Sequence, residues 1–442
     1  MSITSNRQSI VDSPTLSIST IEPLEPLEVL EVEANKLGTY NIVLTNKLRD
    51  IIVHAQQDKH FRQKLDIQKL LAMSTMCKQI VIGLNIAIIG YASPMVAPWD
   101  PFTCNEGLPG SEECAVYATQ ELARQGHTVT VYMNPPSNSI WLSTLSNPRW
   151  LHVNEWINPD NTTRYDLVLM WRRFDVENGR KRSRTVFSWL HDSPNSKNVE
   201  GFRKFDGVCV LSAHHYKQLS IMPNFTTIPH TISGNGLVLA QFNKPMSFTN
   251  SYSIGYFSNY SRGLDILLDI WPLIHNNFPL ATLDIYYGRE TWGALSAQEL
   301  LTLVSTIEKL KSQGVTEHGK VGHLLLAAAM QRTSVWCYPC IDLGETFCIT
   351  AVKCQAAGCI PITTRIGALA ETIHPAAPHI NSINSSDDVV LYSQLVLQTL
   401  ARIRDENPLT IKQERQKYIE YGNQYSWEAC INKWLMLYNK LK

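Results

Sequence analysis

From Gly344 to Pro361 the chain reads GETFCITAVKCQAAGCIP. It places an acid, Glu345, just ahead of a helix predicted to start near Phe347, followed by Ala356-Ala357-Gly358 and a strand from Ile360 to Thr363. The first amides of a helix have no intrahelical partner and attract anions, while a carboxylate accepts two hydroxyl donors. An acid beside such amides suits a site that holds a diphosphate and orients the hydroxyls of an attached sugar. The same acid could also serve only as a cap on the helix.

The elements that would position this site follow from the hydrophobic pattern. From Leu84 onward, short β-rich runs alternate with helical stretches, as in a parallel sheet covered by helices on both faces. Expected strands are Asn85–Gly90, Thr128–Met133, Asp166–Met170, Val186–Leu190, Gly207–Leu211 and Thr226–Pro229, with a helix from about Ser111 to Gln125 ended by Gly126. A polar link near residues 234–250 interrupts the alternation. It restarts with strands Ser253–Tyr256, Thr282–Tyr287, Val315–His318, Val335–Tyr338 and Ile360–Thr363, separated by helices near 264–276, 297–311, 321–331 and after Glu345. Further helices are predicted near 388–404, 410–421 and 427–441.

This gives an α/β chain of two Rossmann-like units facing a cleft, preceded by an N-terminal extension. The divisions are a tail at 1–35, rich in Ser, Thr, Pro and Glu, and a helical segment at 36–83. The first unit is expected at 84–245, the second at 246–424, and a closing helix at 425–442. Open α/β sheets bind ligands at the carboxyl ends of their strands, so the site belongs in the cleft.

Composition limits the alternatives. Of the 442 residues, 39 are basic and 39 acidic, so no global field favours nucleic acid or an anionic membrane. The N-terminal residues lack a signal-peptide order, and the run Ile80–Ala92 falls short of the roughly 20 residues needed to span a bilayer. Ten cysteines without a disulfide-scaffold spacing fit a reducing compartment, and a cytoplasmic location is expected.

Five segments in order carry a family resemblance: GLPGSEE (Gly107–Glu113), SWLHDSP (Ser188–Pro194), YFSNYSRGLDILLDIWP (Tyr256–Pro272), GETFCITAVKCQAAG and YSWEACINKWLMLY (Tyr425–Tyr438). Together they resemble the GT-B glycosyltransferases, in particular retaining enzymes of glycosyltransferase family 4, over about Asn85–Lys442. The resemblance implies that Glu345 contacts donor-sugar hydroxyls and that the amides of Thr346, Phe347, Cys348 and Ile349 face the diphosphate. It implies that Arg262 pairs with the donor phosphates, and that His191 contacts the donor sugar or helps position the reacting centre, with Asp192 orienting the imidazole or an acceptor hydroxyl. Gly110, Ser111 and Glu112 would approach the phosphate or acceptor from a helix start, with Ser111 also a candidate N-cap. The loop at Lys320 and Val321 would lie against the nucleotide base. The closing helix would cross back onto the first unit.

Two positions depart from the family pattern. Lys353 stands where a second glutamate grips the ribose, and an ammonium has no acceptor for a diol. Either ribose recognition is altered, or Lys353 neutralises phosphate, or activity is reduced. Phe257 stands where a second arginine is expected. Cys337 and Cys340 match a redox spacing but follow a strand rather than opening a helix, so redox chemistry is not expected. The pair His214-His215 reads as solvated or capping. No zinc spacing or Asp-x-Asp motif occurs, and no metal or other cofactor is expected.

The expected function is retaining transfer of a hexose-type sugar from a nucleotide-diphosphate sugar to a hydroxyl acceptor. The acceptor could be a glycan, a lipid-linked sugar, a protein or a small molecule, with membrane contact only through it. The competing expectations are a sugar-nucleotide epimerase and a degenerate carbohydrate-binding or scaffold protein without turnover.

Overall fold

A computed structural model of the chain describes residues 83–92, 97–173, 176–193, 204–243, 251–289 and 295–442. The expected tail and nearly all of the expected helical extension lie outside the described residues.

Residues 83–442 form one compact unit built on two parallel sheets. The first contains β1 (Asn85–Ile89), β2 (Thr128–Met133), β3 (Arg149–His152), β4 (Leu167–Trp171), β5 (Val186–Trp189), β6 (Gly207–Val210) and β7 (His230–Ile232), in the order β3-β2-β1-β4-β5-β6-β7. The second contains β8 (Ser253–Tyr256), β9 (Thr282–Tyr286), β10 (Val315–Gly319), β11 (Val335–Tyr338), β12 (Ile360–Thr364) and β13 (His379–Ile380), in the order β10-β9-β8-β11-β12-β13. Every pairing between neighbouring strands is parallel.

Strands covered on both faces should be apolar without alternation, and β4 (LVLMW), β6 (GVCV) and β11 (VWCY) are buried at every position. In both sheets the chain order reverses beside the first strand of the unit, between β1 and β4 and between β8 and β11. Such switch points open a crevice at the carboxyl ends of the strands.

The final helix, Trp427–Lys440, belongs to the core of the first sheet, where Trp427, Ile431, Trp434 and Tyr438 pack with residues of β1, β2, β4 and β5. The Trp434 ring lies 4.7 Å from that of Trp189. The crossover toward this helix is tied to the earlier link, with the Leu237 amide donating to the Tyr425 carbonyl at 2.7 Å.

Several elements differ from their sequence expectation. The last strand of the first sheet is His230–Ile232, because Phe225–Thr227 forms a short 3-10 turn before Pro229. The short edge strands β3 and β13 had not been expected. The helix after Glu345 starts at Ile349 rather than near Phe347.

Candidate active site

The loop that follows β11 carries Glu345, which is only 5% exposed. Its Oε1 accepts the amides of Cys348 at 2.8 Å and Phe347 at 3.3 Å, and its Oε2 receives Arg262 Nη1 at 2.5 Å. Arg262 Nη2 lies 3.3 Å from Asp342 Oδ2. Burial disfavours the Arg262 charge, but Glu345, Tyr338 and Asp342 outweigh it and hold the guanidinium above its usual pKa.

Arg262 reaches this place because of its neighbour. Gly263 has φ of +97°, and a Cβ there would sit 2.1 Å from the Pro339 carbonyl oxygen. Only glycine permits so close an approach of the loop after β8 to the end of β11. The helix Leu264–Asn277 starts from this glycine.

Two of the four amides expected to face a diphosphate, those of Phe347 and Cys348, are therefore turned onto Glu345. The carboxylate thus holds the turn ahead of the helix, which has no side-chain cap of its own. The Phe347 ring packs with Leu211, Leu237, Val352 and Ala356 between the two halves. Thr346 is likewise tied to the first half, its hydroxyl donating to the His191 carbonyl at 3.1 Å and its carbonyl accepting from Ser212 Oγ at 2.7 Å. Cys348, the N-cap, has φ of 62°, and Ile349 and Thr350 provide the first-turn amides of the helix Ile349–Ala356.

A second helix start faces this one. Gly110 opens the helix Gly110–Arg124 with Pro109 as N-cap, so Ser111 lies inside the first turn and is not the cap. A Cβ on Gly110 would lie 3.2 Å from Ile349 Cγ2. The starts of the two helices thus meet across the cleft, each with its positive dipole end.

On the first half, Arg172 follows directly on β4 with φ of 55°. It binds both Asp192 oxygens at 2.8 Å, donates to Glu112 Oε1 at 3.2 Å, and lies over the rings of Tyr91 and Trp171. Glu112 is 2% exposed, and burial pushes its pKa up to about 7 against the opposing effect of Arg172. Tyr287, with φ of 114°, interacts electrostatically with Arg262, Glu112 and Glu345 and so joins the two halves of the cluster. Three of the four positive-φ residues other than glycine among the described residues, Arg172, Tyr287 and Cys348, belong to this region. Strained backbone gathered at one place is characteristic of functional sites.

His191 is enclosed by aromatic rings. Its imidazole is buried between the rings of Trp189 and Trp171, at 4.9 and 6.0 Å between centroids. Burial, followed by Arg172 and His215, keeps it well below its usual pKa and neutral. His215 is also buried rather than solvated, with Nε2 3.0 Å from the Asp192 carbonyl and a pKa pushed down to about 4 by burial. The thiols of Cys337 and Cys340 are buried, which raises them to about 12 and about 11.

Lys353 is 8% exposed, and its Nζ lies 2.6 and 2.7 Å from the two oxygens of Glu113 on the facing helix. Its charge is engaged there, by a carboxylate of the facing helix. Phe257 is buried and stacks on Tyr286, which stacks in turn on His318. Lys320 and Val321 lie against the first half, since a Cβ on Gly107 would meet the Val321 carbonyl at 2.6 Å and Lys320 Cγ at 2.9 Å.

Arg172, Tyr287 and Glu113 were not singled out in the sequence. Arg172 had a usable signal, since it lies two residues past the end of a predicted strand, at the side where such sheets bind ligands. Tyr287, the last residue of a predicted strand, had the same signal, and Glu113 had none.

Two open parallel sheets with facing switch points and paired helix starts define the GT-B class. Residues 251–398 match the family described as Glycosyl transferases group 1. The chain has the GT-B fold, and the family match falls within its second sheet's unit. Among solved structures it is similar to sucrose-phosphate synthase of Thermosynechococcus elongatus, with TM-score 0.61 and 14% identity over 81% of this chain and 99% of that one. It is also similar to HepE of Anabaena, solved with UDP and glucose, with TM-score 0.57 and 13% identity over 80% and 100%. With TarM of S. aureus the TM-score is 0.48 at 15% identity, over 62% of this chain, which spans only 55% of TarM. No curated protein matches the chain by sequence.

Proposed function

We propose that the protein is a glycosyltransferase that moves a hexose-type sugar from a nucleotide-diphosphate donor to a hydroxyl acceptor with retention of configuration. The observation that carries this reading is the meeting of two helix starts, at Gly110 and Ile349, beside the Arg262–Glu345 pair. A diphosphate between them would be met by two positive dipole ends and a fixed guanidinium.

The chemistry follows from those charges. As the bond from the anomeric carbon to the phosphate oxygen breaks, its electron pair passes to the diphosphate, where Arg262 and the helix ends stabilise it. The acceptor oxygen bonds to the anomeric carbon on the same face, and its proton passes to the departing phosphate oxygen. Glu345 exchanges its contacts with Arg262 and the amides for hydroxyls of the donor sugar. Arg172, Glu112 and Asp192 face the cleft from the first half and would orient the acceptor.

Retention rests on the family resemblance alone, and the hexose donor on that resemblance and on HepE, whose structure holds UDP and glucose. A metal is not required in this reading, because the cationic side chain and the helix ends supply the charge a metal would. A cytoplasmic location fits the sequence, and no described helix is long and apolar enough to cross a membrane.

A second reading is favoured by one observation, the engagement of Lys353 with Glu113. It makes the protein a carbohydrate-binding or scaffold relative without turnover. Release of nucleoside diphosphate from a panel of UDP-, GDP- and ADP-sugars separates the two. The transferase consumes one donor class and is slowed at least a hundredfold by Arg262→Gln; the scaffold consumes none.

A further inference from the structure

Glu113, Lys353 and His323 form a buried polar cluster, an ion pair with an imidazole beside it, that neither the donor nor the acceptor reading uses. Glu113 lies in the first turn of the helix Gly110–Arg124, and Lys353 one turn into the helix Ile349–Ala356. These are the two helices whose starts meet at Gly110 and Ile349. The third member, His323, opens the helix His323–Arg332 of the second half. Its Nε2 is 3.2 Å from Glu113 Oε2 and 3.1 Å from the Leu108 amide, and its Nδ1 is 2.9 Å from the Tyr117 hydroxyl. The Glu113, Lys353 and His323 side chains are 3%, 10% and 4% exposed. Every one of these contacts joins the first sheet's unit to the second's.

Opening the cleft would return both charges to water; closing it strips them of water and pairs them. Desolvation and pairing nearly cancel for such ion pairs, whereas leaving one charge buried alone is strongly unfavourable. A buried pair across a cleft therefore contributes little to the closed state by its attraction. It makes closure conditional on both partners being present and in register.

We infer that Glu113, Lys353 and His323 form a closing pin between the two halves, a set of positioning residues that fixes the spacing of the helix starts at Gly110 and Ile349. Lys353 in this role works through Glu113 and does not touch the donor. The inference concerns closure of the cleft and stands or falls without any donor being identified.

The Leu108 amide reports the pin directly, since it belongs to one half and is bonded to His323 of the other. Hydrogen exchange of the full chain without added ligand would be followed at Leu108 and at Val168, a buried β4 amide that reports the fold. With Lys353→Met, exchange at Leu108 should rise at least tenfold while Val168 stays unchanged. Lys353→Arg, and the double variant Glu113→Leu with Lys353→Met, should restore protection at Leu108 to within about threefold of the natural chain, since neither leaves a charge buried alone. The pin is refuted if Leu108 exchanges at the same rate in the natural chain and in Lys353→Met. It is equally refuted if Leu108 and Val168 accelerate together, or if the double variant is as unprotected at Leu108 as the single.

Discussion

Glu112 is a carboxylate the fold holds at a loss. It is 2% exposed at the cleft, and burial raises its pKa from 4.5 to about 7 despite the Arg172 guanidinium 3.2 Å away. Between those two values the folded chain binds a proton that the unfolded chain has released, so stability falls as pH rises. The contribution is fully present below pH 4.5 and is lost as pH passes through 7. A displacement of that size amounts to about 3 kcal/mol over the whole range, of which about 2 kcal/mol falls between pH 5.5 and 8. In Glu112→Gln the neutral amide removes the titration while keeping the shape. Urea unfolding followed by tryptophan fluorescence, for both chains at pH 5.5 and pH 8, isolates the effect because other groups titrate alike in the two. The variant should gain about 2 kcal/mol on the natural chain between pH 5.5 and pH 8. Parallel stabilities, differing by less than about 0.5 kcal/mol in their change with pH, would refute the burial argument.

Two further substitutions test how the fold presents the site. Trp434→Ala, which removes a fully buried ring packed edge-on against Trp189, should cost about 3–5 kcal/mol and loosen the last helix from the first sheet, measurable by urea unfolding. Gly263→Ala would drive a Cβ into the Pro339 carbonyl at a φ of +97°. It should displace Arg262 and abolish nucleoside diphosphate binding by calorimetry, and undiminished affinity would show that Arg262 is not held by this turn.

The sequence was most legible where local pattern and tertiary environment agree. β2, β8 and β11 were read to the residue because runs such as TVTVYM and VWCY are apolar or β-branched and bounded by polar turns. β3 and β13 are four and two residues long and lie at sheet edges, where pairing rather than composition makes the strand. The bend at Cys348, in the left-handed region without a glycine to announce it, delayed the helix after Glu345 by two residues. The order of motifs brought Glu345 and Arg262 into view, and they meet although 83 residues apart. Lys353 was visible only as a departure from the family pattern. Its partner lies 240 residues away, and no local spacing could have named Glu113. His191 was legible as a residue at a strand end, but no local pattern showed that its ring would lie between two tryptophans.

The central claim is that the cleft holds a nucleotide sugar and releases its diphosphate. The most direct measurement is nucleoside diphosphate release from UDP-, GDP- and ADP-sugars with a mixed hydroxyl-acceptor pool, comparing the natural chain with Arg262→Gln and Glu345→Gln. The account predicts turnover with one donor class, slowed at least a hundredfold in Arg262→Gln, about 2.7 kcal/mol of transition-state stabilisation, and also impaired in Glu345→Gln. Turnover that persists unchanged in both variants, or a natural chain that consumes no donor, would contradict it.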